Sequence, residues 1–267
     1  MSEREAIERA DAPVTVESMV ADLRDLGVEP GETLLVHASL SALGWVCGGA
    51  QAAVAALREA VTPGGTLVVP THTGRLMDPA ELQHPPLPEE WVGTARGSMP
   101  AFDPAVTSCQ TGAIPECLRL HPDAVRSRHP LVSFAAWGAD AGAVVADHAL
   151  AYGLGEESPL AAVYERDGRV LLLGVGHEAN TSLHLAEYRA DRSPGTVTRS
   201  APVRRDGQRV RVEFADIDHT DEDFGRLGAA FERRVGSTSG SVGEADALLH
   251  DQRAAVDFAV DWLERHR

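Results

Sequence analysis

The chain has no apolar run approaching the roughly 20 residues that a membrane-spanning helix requires, and its opening residues, MSEREAIERADAP, are charged where a secretory signal would be apolar. Cysteine is scarce. Cys47, Cys109 and Cys117 are odd in number and follow no metal-ligand spacing, so neither a disulfide framework nor a zinc cluster is indicated. A reducing cytoplasm is the expected compartment. Positive charge is short as well: 24 basic residues stand against 40 acidic ones, a net charge of −16. That balance argues against nucleic-acid binding, which needs a basic surface. Internal repeats, low-complexity tracts and a clear linker are also missing, and residues 1–267 read as one domain carrying insertions.

What is present is an ordinary globular composition, 43% hydrophobic and 24% charged, long enough for a sizeable core. The acidic excess has two readings. One is simple solubility; the other is an acidic cleft that steers and holds a polycationic substrate.

Two strand–loop–helix units open the chain. Val16 to Leu26 has helical spacing, ended by Gly27 and Pro30-Gly31. Thr33 to His37 (TLLVH) and Thr66 to Pro70 (TLVVP) are continuous apolar runs, the pattern of strands buried on both faces. Between them Ala50 to Val61 is a helix stopped by Pro63-Gly64-Gly65. Residues 75 to 105, rich in proline and polar groups, are expected to form a long ordered loop beside a site. Ile114 to Leu120 reads as helix, Leu131 to Ala136 as strand, and 159 to 164 as a short helix. Ala201 to Phe214 has hairpin character around Asp206-Gly207. Val242 to His266 reads as one long amphipathic helix.

The densest chemistry lies in Arg169 to Tyr188, RVLLLGVGHEANTSLHLAEY. A short apolar strand runs through Gly174-Val175-Gly176 and delivers His177 to the mouth of an expected helix. Counted at about 100° per residue from His177, Thr181 falls near 40°, His184 near −20° and Tyr188 near 20°, with Glu187 about 80° aside. Two imidazoles, a hydroxyl and a phenol would then line one face. Competing readings are satisfied core histidines, a dinucleotide fingerprint (Gly174 to Ala179 matches G-x-G-x-x-A) and a zinc site. The fingerprint lacks a second strand ending in a ribose-binding acid, and the zinc motif fails because Thr181 stands where the second histidine belongs. His37-Ala38-Ser39, Thr71-His72-Thr73 and His129-Pro130 also sit at expected strand ends. In a parallel-rich sheet such ends converge on one crevice.

Five segments carry a family resemblance: LLVHASLSALGWVCGG (34–49), PGGTLVVPTHTG (63–74), SRHPLVSFAAWG (127–138), SPLAAVYERDGRVLLLGVGHEANTSLHLAE (158–187) and VEFADIDHTDEDF (212–224). In this order they resemble the aminoglycoside 3-N-acetyltransferase family, acetyl-CoA-dependent antibiotic-modifying enzymes unrelated in fold to the GNAT acetyltransferases. The Gly-x-Gly-His…Thr-x-x-His-x-x-Glu block is the most specific piece, and the chain looks most similar to the apramycin-modifying branch. The expected fold is an αβα sandwich with a central parallel-rich mixed sheet and an inserted or appended antiparallel hairpin.

The resemblance implies direct transfer of acetyl from acetyl-CoA to the 3-amino group of a 2-deoxystreptamine aminoglycoside. Such amines are largely protonated at neutral pH, so a base near pKa 7 is the natural tool. By resemblance His177 is that base, with Glu187 orienting the imidazole or the cation. His37, Ser39, Leu40, Ser41, Gly44, Trp45 and Val46 correspond to the family's CoA loop. Thr71 and Thr73 are expected to hydrogen-bond the thioester or pantetheine, and Arg126 and Arg128 to meet its phosphates. Asp78, Glu178, Thr181, His184, Glu187, Asp216 and Asp218 are the expected contacts to the cationic drug. No metal, nucleic acid or membrane is expected as a partner, and the oligomeric state is left open. An acetyltransferase of the same fold for another amine, and a non-catalytic protein that sequesters cationic antibiotics, are the alternatives.

Overall fold

A computed structural model describes residues 4, 7–8, 10, 12–83, 85–191 and 194–267. In chain order, α1 (Val16–Asp25) leads to β1 (Thr33–Ala38), and α2 (Gly49–Val61) to β2 (Thr66–Pro70). α3 (Glu89–Ser98) and α4 (Ala113–Arg119) precede the short β3 (Val125–Arg126) and β4 (Phe134–Gly138). α5 (Ala141–Ala146) and α6 (Pro159–Glu165) precede β5 (Arg169–Leu173), which runs towards α7 (Ser182–Arg189). A hairpin of β6 (Thr196–Arg205) and β7 (Gln208–Ile217) follows, then α8 (Phe224–Arg234), β8 (Thr238–Val242), β9 (Ala245–Asp251) and α9 (Gln252–His266).

The continuous apolar runs form the middle of a mixed sheet ordered β3-β4-β2-β1-β5-β9-β8. β1 pairs in parallel with β2, Thr33 opposite Thr66, and with β5, Leu34 opposite Arg169. The flanking pairings are antiparallel. Both faces of the central strands are covered, which is why their sequences do not alternate. Leu34, Val36, Leu67 and Val69 pack with α1, α2 and α4 on one side. Leu35, Val68, Val170 and Leu172 pack with α5 to α9 on the other. This is the expected α/β sandwich. Its three central parallel strands carry their C-terminal ends to the same edge, which sets the place of the site.

The separate hairpin turns at Asp206 and Gly207, whose φ values of 49° and 77° suit a tight two-residue hairpin connection. Ala201, Val212 and Phe214 bury one face of it against Leu76, Phe102 and Leu131. Three expectations require correction. Residues 242–251 are not helical: Val242 ends one strand, Gly243 turns, and Ala245, Ala247 and Leu249 are buried in alternation along β9. Helix α9 begins only at Gln252, where the Asp251 carboxylate accepts the Ala254 N–H at 2.7 Å. Residues 75–105 contain α3, none of whose side chains is buried, so no apolar period announced it. The strand expected over 131–136 starts at Phe134.

Candidate active site

Two adjoining cavities open at the C-terminal edge of the parallel strands, and Ala38 and Thr111 line both. The larger, about 960 Å³, is walled by Ser39, Leu40, Ser41, Gly44, Trp45 and Val46 from the loop after β1, by Gly48 and Gly49 at the start of α2, and by 110–113 opposite. Gly44, Gly48 and Gly49 have φ values of 86°, 92° and 58°, which side-chain-bearing residues rarely adopt. A Cβ on Gly44 would lie 2.7 Å from Cδ of Glu244. The loop therefore presents bare backbone to a long cleft. The 13-residue helix α2 starts at this cleft with no side-chain cap, which suits phosphate and amide oxygens of an extended ligand.

The smaller chamber, about 290 Å³, is lined by His37, His72, Glu178, Thr181, His184 and Asp221 among others. His184 Nδ1 lies 2.5 Å from Glu187 Oε2, and Glu187 is fully buried. Glu187 also accepts the Thr220 N–H at 3.1 Å and the Arg267 guanidinium. Burial pushes the Glu187 carboxyl up, but His184, Arg267 and the Thr220 amide outweigh it and hold the group below the usual carboxylate range. An ionised Glu187 fixes the His184 tautomer with the proton on Nδ1, leaving Nε2 free to accept. His37 is pushed down to about 3 by burial and by His184, and burial with the neighbouring imidazoles also drives His72 well down. Both rings are neutral, and their buried Nε2 atoms have no hydrogen-bond partner.

His177 does not reach this chamber. Residues His177–Ala179 form a single 3₁₀ turn, Asn180 leaves helical geometry with ψ of 88°, and α7 begins at Ser182. The break resets the helical phase, so His177 and His184 do not share a face. The His177 ring is buried between Phe231, His250 and Asn180. It packs so closely on α8 that a Cβ on Gly228 would meet its Cγ at 2.0 Å. Its Nε2 lies 3.3 Å from Glu232 Oε1 without a hydrogen bond, and burial lowers its pKa against the pull of Glu232.

Other expected residues are also placed elsewhere. Thr71 Oγ1 is 3.1 Å from Ser133 Oγ and accepts from Arg126 Nε, and Thr73 Oγ1 donates to the Pro130 carbonyl, so both tie β2 to the segment before β4. Arg126 is absorbed by that network, donating to the Thr71 carbonyl at 2.8 Å; burial lowers it to about 10. Arg128 is exposed and lines neither cavity. Asp78 pairs with Arg96 at 2.6 Å, Asp218 with Arg199 at 3.2 Å, and Asp216 accepts the Tyr188 hydroxyl at 2.6 Å. Cys47 is exposed. Of the expected drug contacts, Glu178, Thr181 and His184 face the chamber. Sequence reasoning brought His72 to the crevice without giving it a role, and it missed Asp221, the 110–113 strip and the Arg267 and Thr220 partners of Glu187. His72 was legible as a strand-end histidine. Arg267 is 80 positions from Glu187 and carried no local signal.

An α/β sandwich with a backbone-lined cleft meeting a chamber that holds a carboxylate-fixed imidazole defines a two-substrate group-transfer enzyme. The aminoglycoside 3-N-acetyltransferase family model matches residues 35–264, and the chain belongs to that family. It is 41% identical to the SPbeta prophage-derived aminoglycoside N(3')-acetyltransferase-like protein YokD of Bacillus subtilis, covering 97% of this chain and 96% of the relative. It is 40% identical to aminoglycoside N(3)-acetyltransferase VII of Streptomyces paromomycinus, with 99% and 96% covered. The crystal structure of YokD superposes with a TM-score of 0.96 at 41% identity, covering 98% of each chain. A binary complex of AAC-IIIb with CoASH gives 0.85 at 32% identity, covering 95% and 97%. AAC-VIa bound to sisomicin also gives 0.85, at 33% identity with 96% and 99% covered. No helix among the described residues is long and apolar enough to cross a membrane.

Proposed function

We propose that the chain, working as one domain in the cytoplasm, transfers acetyl from acetyl-CoA directly to the 3-amino group of a 2-deoxystreptamine aminoglycoside, with His184 as the general base. The observation that carries this reading is the His184–Glu187 pair, whose imidazole lines the chamber adjoining the glycine-lined cleft while its carboxylate is buried behind it. The CoASH complex of one relative and the sisomicin complex of another support the two ligands. Pantetheine fits the cleft because Gly44, Gly48 and Gly49 leave room for close approach to backbone. Glu178 and Asp221 supply negative charge to the chamber, suited to ring ammonium groups.

In this reading the substrate ammonium first gives up one proton to solvent, and Nε2 of His184 takes the second from the neutral amine as it attacks. The nitrogen lone pair attacks the acetyl carbonyl carbon, and the carbon–sulfur bond breaks with its electron pair leaving on sulfur. The imidazolium returns its proton to the thiolate, yielding amide and free CoA thiol. Glu187 stabilises the transient imidazolium, as a buried carboxylate does in a catalytic triad. No cysteine lines the chamber, so a covalent acyl-enzyme is not part of the scheme.

Purified protein with acetyl-CoA should release CoA thiol when given an aminoglycoside panel that includes apramycin, and NMR of the product should place the acetyl on the 3-amino nitrogen. Turnover of apramycin would support the finer branch assignment. Binding without thiol release would instead favour sequestration, and release only with unrelated amines would favour a different acceptor.

A further inference from the structure

Outside the site, α8 and α9 lie side by side with an open groove of about 710 Å³ between them. Its floor is Phe258, two alanines of α8 and the edge of Trp262, and its rim is Arg226, Arg233, Arg234 and Arg265. This is an arginine-rimmed apolar groove on a chain of net charge −16, whose 24 basic residues are all arginine. Arg265 pairs with Asp261 at 3.0 Å and Arg226 lies over the Trp262 ring at 5.6 Å. Among the described residues Arg233 and Arg234 pair with no carboxylate. Both stand in the last turn of α8, where cations offset the helix dipole. That role leaves their guanidinium faces open to a further anion.

The complementary surface is on the same chain. Helix α3 buries none of its side chains, and its first turn presents Glu89, Glu90 and Trp91, the last 60% exposed. Its N-cap, Pro88, supplies no side-chain hydrogen bond; its carbonyl accepts the Trp91 N–H at 2.9 Å. An acidic first turn carrying a projecting indole matches a basic helix end beside an apolar floor in charge, in polarity and in dipole direction.

We propose that the α8–α9 groove seats α3 of a second copy of this chain, with Trp91 on the Phe258 floor and Glu89 and Glu90 facing Arg233 and Arg234. Seat and occupant are different patches, so the contact is heterologous and each chain offers one of each. Charge-paired contacts of this kind loosen as salt shortens screening from about 8 Å at physiological ionic strength to about 3 Å at 1 M.

Sedimentation velocity on the full chain, at up to roughly 1 mM so that even millimolar affinity registers, should show concentration-dependent association that weakens with salt. Reversing either face, by Glu89→Arg with Glu90→Arg or by Arg233→Glu with Arg234→Glu, should raise the concentration for half-association by at least about tenfold. Trp91→Ala should do the same. Neither reversed chain should associate with itself, but mixing the two reunites matched faces, and association should return; it should return likewise in one chain carrying both reversals. A chain monomeric throughout overturns the proposal. So does association indifferent to these substitutions, or a doubly reversed chain that folds by circular dichroism yet stays apart.

Discussion

His184 and His177 are the same side chain seven positions apart, and their surroundings assign them different work. His184 lines a solvent-connected chamber and has its tautomer held by a buried carboxylate. His177 is enclosed against α8. We expect His184→Ala to lower kcat by roughly 10²–10⁴-fold, the usual worth of a general base, with little change in melting temperature. His177→Ala should cost about 2 kcal/mol of stability by opening a cavity, with kcat within a few-fold of the parent. Urea titration and steady-state kinetics on both variants separate the roles, and the reverse pattern would return the base to His177. Gly228→Ala tests the same contact from the other side. The added methyl would collide with the His177 ring, and overpacking of that kind costs about 1–3 kcal/mol.

At the scale of elements, the loop between β1 and α2 was legible because its glycines and small residues follow a buried strand. Gly44 has φ of 86° and crowds Glu244, so Gly44→Leu strains the backbone and narrows the cleft at once. Calorimetry should find acetyl-CoA binding weakened much more than aminoglycoside binding; equal losses would indicate general misfolding of the turn. The 177–188 block was legible in composition but not in geometry. The helical count assumed an unbroken helix from His177, and the 3₁₀ turn and Asn180 broke it. The 242–251 error has a related cause. Ala245, Ala247 and Leu249 alternate, but the longer run into α9 gives a plausible 3.6 period that hides the strand.

For the molecule as a whole, burial of imidazoles sets the acid limit. His37, His148 and His250 are pushed down to about 3 and His129 to about 4, chiefly by burial. Below about pH 6.5 the unfolded chain takes up protons at these positions that the folded chain refuses until far lower pH. Their contribution is therefore complete above about pH 6.5 and is lost steadily as pH falls, to about 4 for His129 and about 3 for His37, His148 and His250. Each imidazole can remove up to about 1.4 kcal/mol per pH unit. Urea midpoints measured from pH 7.5 to 5 should fall steeply, and a flat profile would mean these rings are protonated in the folded state. The net charge of −16 carries a second expectation. Drug association should slow as salt rises, because the acidic field and the chamber carboxylates Glu178 and Asp221 are screened. Salt-independent capture in stopped flow would reduce the charge to a solubility feature.

The amino-acid sequence by itself determined the sheet's centre, the glycine-lined loop, the hairpin turn and the family. These depend on local signals: apolar runs that need burial on both faces, glycines where φ is positive, and an Asp-Gly pair between alternating segments. Which histidine faces the chamber was decided only in three dimensions. It depends on the phase change at Asn180, on the bare backbone of Gly228 that admits the His177 ring, and on Arg267 and Thr220 closing around Glu187. Such choices are made by packing between segments far apart in the chain, where residue spacing carries no information.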